Sequence, residues 1–85
     1  MQFRPRGNSM SPRIRSGDLC TVAPVPDVSA IRSGDIVLCR VRGAGYLHFV
    51  KAVHGDRFQI GNNRGGINGW IAGSGIFGKL VAVEA

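Results

Sequence analysis

The stretch Asp35-Ile36-Val37-Leu38-Cys39-Arg40-Val41-Arg42 decides the architecture of this 85-residue chain. Its apolar residues are nearly consecutive, so a strand formed here would have little room for a face exposed to solvent. A short apolar run of this kind is typical of a strand that is covered on both sides. We therefore predict a central strand over residues 35–42.

The residues that follow predict a hairpin. Gly43-Ala44-Gly45 is a glycine-rich turn, and Tyr46–His54 is a second apolar run that can return antiparallel to the first. Gly55-Asp56 then predicts a further turn into a short strand over Arg57–Ile60.

The other segments predict short strands joined by turns. Before the central strand we expect an edge strand within Met1–Gly7, a strand over Leu19–Val25, and a helical turn over Asp27–Ile31 with Asp27 as its N-cap. After the hairpin we expect a Gly- and Asn-rich loop over Gly61–Gly69, contacts of Trp70 and Ile71 with the body of the domain, and a last strand over Ile76–Val83 in which Gly78 marks a bulge or a close approach. The predicted fold class is all-β, a small coiled β-sheet sandwich or partly open barrel that forms one domain over residues 1–85.

One five-residue sequence occurs twice, as Ile14-Arg15-Ser16-Gly17-Asp18 and as Ile31-Arg32-Ser33-Gly34-Asp35. In both copies Gly suits a left-handed backbone position and Asp can accept hydrogen bonds from nearby backbone N–H groups. Each copy precedes an apolar run. We therefore predict two structural turns of the same kind, called here the Ser-Gly-Asp turns, each leading into a strand.

Composition limits the function classes. Hydrophobic residues make up 44% of the chain and no apolar run approaches the length of a membrane span, so we expect a cytoplasmic protein without a membrane anchor or signal peptide. Cys20 and Cys39 lie in apolar runs and are expected to be reduced core thiols, with no metal and no other cofactor. The net charge of +6 leaves nucleic acid open as a partner.

The stretch Gly7-Asn8-Ser9-Met10-Ser11-Pro12 predicts a tight bend that holds Ser9 away from the backbone. A nucleophilic serine needs this presentation, although an ordinary surface turn has it too.

The order of motifs resembles a known family. Gly7-x-Ser9-Met10-x-Pro12, Gly17-Asp18-Leu19, Gly34-Asp35-Ile36-Val37, Tyr46-Leu47-His48 and Gly78-Lys79-Leu80-Val81 together resemble the catalytic core shared by type I signal peptidases and LexA-like self-cleaving repressors. The resemblance implies a serine endopeptidase, a hydrolase that cleaves an extended peptide or protein substrate. It also implies that Ser9 is the nucleophile, with Met10 lining the substrate pocket.

The resemblance places the base of the reaction at His48. Most bacterial members of the family use Lys at this position, and members of the endoplasmic-reticulum and archaeal type use His. Strand alternation predicts that His48 shares a face with Tyr46, Val50 and Ala52, while Lys51 points to the other face with Leu47, Phe49 and Val53. His48 and Lys51 therefore cannot both reach Ser9. His54 lies at a turn and is expected to be a surface residue.

The sequence departs from the family where histidine-type members carry acidic residues after the base. Asn62 and Asn68 stand in those places here. An amide can orient a histidine but offers less charge to stabilise imidazolium. Two alternatives therefore stay open: a catalytically silent member that binds a peptide or protein partner, and a small basic β-barrel that binds nucleic acid. The nucleic-acid alternative needs exposed aromatic residues, but most of the six aromatic residues in the chain lie in core-like runs.

Overall fold

Seven strands form in the part of the chain that the structure describes. The computed structural model describes residues 1–7, 13–41, 44–62 and 66–85, and the side chains of all of these except residues 41, 44–46 and 68. In chain order the strands are β1 (Gln2–Phe3), β2 (Leu19–Ala23), β3 (Ile36–Val41), β4 (Ala44–His54), β5 (Arg57–Gly61), β6 (Ile67–Ala72) and β7 (Ile76–Glu84). Short 3₁₀ turns occur at Val28–Ala30 and Gly73–Gly75, and the described residues include no α-helix.

The strands form one curled, half-barrel sheet in the order β1-β2-β7-β3-β4-β5-β6. Every neighbouring pair is antiparallel. The predicted all-β fold class is therefore confirmed. The predicted central strand is confirmed as well, because β3 is the fourth of the seven strands.

Two hydrophobic cores lie on opposite faces of β3. Ile36 belongs to the first core, and Leu38 packs against that core. The alternate residues Val37 and Cys39 belong to the second core. The first core consists of Ile14, Cys20, Val22, Ile36, Leu47 and Phe49. The second core consists of Ile31, Val37, Cys39, Val50, Phe58, Ile60 and Ile76.

The two Ser-Gly-Asp turns have the same hydrogen bonds. The Asp18 N–H donates to the Arg15 carbonyl at 3.0 Å, and the Asp35 N–H donates to the Arg32 carbonyl at 3.1 Å. In each turn the Asp Oδ2 accepts from the backbone N–H of the Arg three residues earlier, at 2.9 Å. The sequence repeat is thus a structural repeat, as predicted.

Each turn also places one isoleucine in a core. Gly17 and Gly34 have φ values of 89° and 97°, which glycine adopts without strain. The chain can therefore reverse there, with Ile14 buried in the first core and Ile31 in the second. The predicted N-cap is also confirmed, because the Asp27 carboxylate accepts from the Ser29 N–H at 2.9 Å.

The predicted hairpin is confirmed, but its turn is shorter than expected. Ile36 lies opposite Phe49, and the β3–β4 ladder continues to Val41 opposite Ala44. Ala44 and Gly45 therefore belong to β4, and the prediction that they form the turn is wrong. The two connecting residues, 42 and 43, lie outside the described part of the chain.

The prediction of a loop over Gly61–Gly69 is wrong at both ends. Gly61 is the last residue of β5, and β6 already begins at Ile67. Pairing with β5 overrides the weak strand preference of Asn and Gly in this segment. Of the two residues expected to contact the body of the domain, Ile71 packs against the second core, whereas the Trp70 side chain is 45% exposed.

Gly78 lies at both a ladder irregularity and a close approach of two strands, the two features that the sequence predicted as alternatives. The ladder between β3 and β7 is irregular next to it. A Cβ atom at this position would overlap the Val22 side chain and lie 2.9 Å from the Ala23 carbonyl oxygen. Glycine therefore allows β2 and β7 to approach closely.

We expect Gly78→Ala to lower the free energy of unfolding by about 1–3 kcal/mol, the usual cost of an extra methyl group in a tight contact. Urea denaturation measures this change. Gly75→Ala is the matched control, because its Cβ would lie 3.7 Å from the Arg40 carbonyl oxygen, an ordinary contact. Equal losses in the two variants would show that the close approach at Gly78 is not the cause.

The two cysteines are buried free thiols in different cores, in agreement with the sequence prediction. Burial raises the pKa of Cys39 to about 11. Burial and the nearby Asp18 carboxylate raise the pKa of Cys20. Because the thiolate is the reactive form, both thiols should react slowly in the folded protein.

Alkylation without reductant should therefore add almost no label to the native protein at neutral pH and two labels per chain after denaturation. Intact mass measurement counts the labels. A denatured chain that takes up no label would contain a disulfide and would contradict this prediction.

Candidate active site

The two ends of the predicted nucleophile bend are held together. The Gly17 N–H donates to the Pro5 carbonyl at 2.9 Å, and the Gly7 N–H donates to the Ser16 hydroxyl oxygen at 3.3 Å. The Arg4 Nη1 also donates to the Gly17 carbonyl at 2.8 Å. These contacts hold Pro5 and Gly7 beside Ser16 and Gly17. Ser9 and Met10 themselves lie outside the described residues.

His48 is a buried polar side chain in the middle of β4. It lies opposite Val37 of β3 and is 8% exposed. Its neighbours Leu47 and Phe49 belong to the first core, so strand alternation directs His48 to the face of the second core.

Burial lowers the pKa of the His48 imidazole below its ordinary value of 6.5, and a hydrogen bond with the Gly61 backbone acts weakly in the opposite direction. Desolvation has this effect because it disfavours the charged form of a histidine. The ring is therefore neutral at pH 7. A neutral imidazole is the form that can accept a proton from a hydroxyl group.

The second candidate base, Lys51, lies at a bulge in β4. The ladder with β5 pairs Val50 with Ile60 and then Ala52 with Gln59, so Lys51 has no partner residue in this ladder. Its Nζ lies 5.3 Å from the centre of the Phe49 ring, on the first-core face. His48 and Lys51 thus leave β4 on opposite faces, as predicted.

Because of the same bulge, Ala52 and Val53 point to the faces opposite to those predicted from the sequence. Ala52 pairs with Gln59 and Val53 pairs with the core residue Phe58. Ala52 therefore faces away from Val50, and Val53 lies on the second-core face. The regular alternation assumed from the sequence is wrong beyond Lys51, because a bulge adds one residue to one strand of a pair.

One contact joins the C-terminal end of the bend to the strand that carries both candidate bases. The Arg13 guanidinium carbon lies 5.8 Å from the centre of the Phe49 ring. Phe49 follows His48 directly in the chain, although its ring lies on the face of Lys51. Arg13, the first described residue after the bend, thus lies over β4 on the face of Lys51.

The two asparagines proposed to orient the histidine have different positions. The Asn62 Oδ1 accepts from the Gly66 N–H at 2.9 Å, and the Asn62 N–H donates to the Gly66 carbonyl at 3.0 Å. Asn62 therefore helps to close the connection between β5 and β6. Asn68 lies on β6, two strands away from His48, and its side chain is outside the described set. A role of either amide at His48 stays a prediction.

Nowhere in the described ranges do three His, Cys, Asp or Glu side chains form a group that could hold a metal ion. The described helical segments do not have the length and apolar character needed to cross a membrane.

Comparison with known protein families gives a match over most of the chain. The family model described as Peptidase S24-like matches residues 2–63, a range that includes Ser9, His48 and Lys51. No curated protein and no solved structure matches the chain significantly.

The lowered pKa of His48 predicts how stability depends on pH. Because the folded pKa lies below the unfolded value of 6.5, the unfolded state binds more protons between the two values. The free energy of unfolding should therefore fall as the pH drops below about 6.5. His48→Gln should flatten this part of the profile.

Urea denaturation at a series of pH values measures the effect, and His54→Gln, at the exposed end of β4, is the control. An unchanged slope in His48→Gln would show that His48 does not titrate as its burial implies.

Proposed function

Because the chain belongs to the Peptidase S24-like family, we propose that it is a serine endopeptidase in which Ser9 is the nucleophile and His48 the general base. The observation that carries the proposal is the burial of His48 in the middle of β4, the strand whose Phe49 ring is contacted by Arg13 just after the bend. The family match spans both elements.

The proposed reaction proceeds through an acyl-enzyme. The Ser9 Oγ attacks the peptide carbonyl carbon while His48 accepts the hydroxyl proton. Backbone N–H groups of the bend stabilise the oxyanion that develops on the carbonyl oxygen. The imidazolium then donates its proton to the leaving amine, the C–N bond breaks, and water hydrolyses the ester through the same base.

The environment of His48 suits this role. Burial keeps the ring neutral at pH 7, so it is available as a proton acceptor without a preceding deprotonation. The hydrogen bond with the Gly61 backbone restrains the ring, and such a restraint favours one tautomer. In the proposed mechanism an asparagine, Asn62 or Asn68, takes the orienting role that an acidic residue has in related sites.

Lys51 is a competing base, and one observation favours it. Arg13 and Lys51 contact the same ring, so the described end of the bend lies on the Lys51 face of β4. A Ser9–Lys51 pair would follow the arrangement that most bacterial members of the resembled family use. Only one of the two bases can act, because the side chains leave the strand on opposite faces.

We propose an extended peptide segment of a protein as the substrate. Of the two edge strands, β1 is only two residues long and leads directly towards the bend. A peptide that pairs beside it would gain main-chain hydrogen bonds and would carry its scissile bond towards Ser9. Met10 would line the pocket for a small side chain next to that bond.

A library of quenched fluorescent peptides with a small residue before the cleaved bond tests the proposal. Wild-type protein should cleave members of the library, and Ser9→Ala and His48→Ala should lose at least about 100-fold in kcat/KM, the usual contribution of a general base. Lys51→Ala should retain most of the activity. For the wild type, kcat/KM should rise with pH through a value below 6.5 and then stay level, because the pKa of His48 is lowered.

Thermal melts of the three variants serve as folding controls. Equal activity in wild type and Ser9→Ala would remove the enzymatic proposal and favour a silent, peptide-binding member of the family. Loss of activity in Lys51→Ala alone would assign the base to Lys51.

A further inference from the structure

A second surface, formed by residues other than Ser9 and the two candidate bases, has the features of a ligand site. It lies on the sheet face that points away from the second core, over the ends of β4, β5 and β6. Phe58 and Ile60 belong to that core, so the alternate residues Arg57 and Gln59 face the other way. His54 pairs with Arg57, which places it on the same face.

The exposed Trp70 completes this surface. It lies opposite Gln59 in the β5–β6 ladder, and its neighbour Ile71 packs against the second core. The indole therefore projects outward beside the polar residues. His54, Arg57 and Trp70 line an open hollow of about 350 Å³, which is within the range of small-ligand sites. We call His54, Arg57, Gln59 and Trp70 the tryptophan patch.

The charge of the chain favours an anionic occupant. Lys and Arg outnumber Asp and Glu by 11 to 5. Asp18 and Asp35 are bonded within the Ser-Gly-Asp turns and Asp27 caps a 3₁₀ turn, while Asp56 lies in the turn that precedes Arg57. The excess of cations gives a positive field in which an anion is attracted to Arg57.

From this juxtaposition we propose that the tryptophan patch binds single-stranded nucleic acid. Arg57 and His54 contact phosphate groups, and a base stacks on the Trp70 ring. An exposed aromatic ring beside an arginine on an open sheet face is the arrangement by which proteins bind single strands without sequence preference. An acidic peptide would pair with Arg57 but has no use for the flat indole surface, and duplex bases are already stacked on one another.

The patch shares no residue with the proposed peptidase site, although it lies on the same sheet face as Lys51. Its residues contain neither Ser9 nor either candidate base. Binding should therefore persist in Ser9→Ala.

The tryptophan itself reports on binding, because Trp70 is the single tryptophan of the chain. Adding an oligothymidylate of about 12 nucleotides, within the usual site sizes of single-strand-binding folds, should quench its fluorescence at low salt. The apparent affinity should fall steeply as salt rises, because bound phosphates release counterions.

Variants distinguish binding at the tryptophan patch from binding that depends only on the net charge of the chain. Measured with a labelled oligonucleotide, Trp70→Ala should bind about five- to 150-fold more weakly, the range that loss of one stacked base gives. Arg57→Gln should weaken binding and reduce the salt slope by about 1. Arg15→Gln removes the same charge from an exposed arginine before β2, at the far side of the sheet, and should leave binding nearly unchanged.

Four results would overturn the proposal. The first three are no quenching at low salt, equal losses in Arg15→Gln and Arg57→Gln, and full binding by Trp70→Ala. The fourth is equal quenching by an oligoglutamate of matched charge, which would assign the patch to acidic peptides.

Discussion

Burial of β3 on both faces is the constraint on which the other elements depend. A strand without an exposed face needs a separate hydrophobic layer on each side, and the two cores provide these layers. A small domain buries a modest share of its surface, so a central strand that uses both faces increases the burial available to a short chain. The ladders with β4 and β7 satisfy the backbone groups of this buried strand. The Ser-Gly-Asp turns serve the same constraint, because each contributes its isoleucine to one core.

The position of β4 beside β3 determines what its side chains can do. Up to Val50 the alternation of β4 follows that of β3, so His48 is directed to the second core. The bulge at Lys51 then shifts the alternation by one residue. As a result His54 points to the open face with Arg57 and Trp70 instead of to the second core. The bulge at Lys51 therefore places two histidines of β4 on opposite faces of the sheet. His48 is buried on the second-core face, and His54 is exposed on the other face.

Sequence reasoning succeeded where the local signal was strong. The apolar run of β3, the repeated turns, the Asp27 cap and the close approach at Gly78 all depend on residue types with few conformational options. It failed for the turn at Ala44, the start of β6, the exposure of Trp70 and the bulge at Lys51. These features depend on how neighbouring strands register, which is a property of the pair and has no signal in either strand alone. Which base lies near Ser9 also depends on tertiary structure. The family resemblance could suggest His48. Strand alternation could show only that His48 and Lys51 do not act together.

The burial of His48 is itself an argument about function. A polar ring in a hydrophobic environment costs stability unless its polar atoms are bonded, and it costs more when the ring is charged. The sheet reduces the first cost through the bond with the Gly61 backbone and avoids the second by keeping the ring neutral at pH 7. An apolar side chain at this position would avoid both costs, so packing alone does not account for a histidine here. A histidine can accept a proton only when its ring is uncharged, and the burial of His48 favours that state at neutral pH.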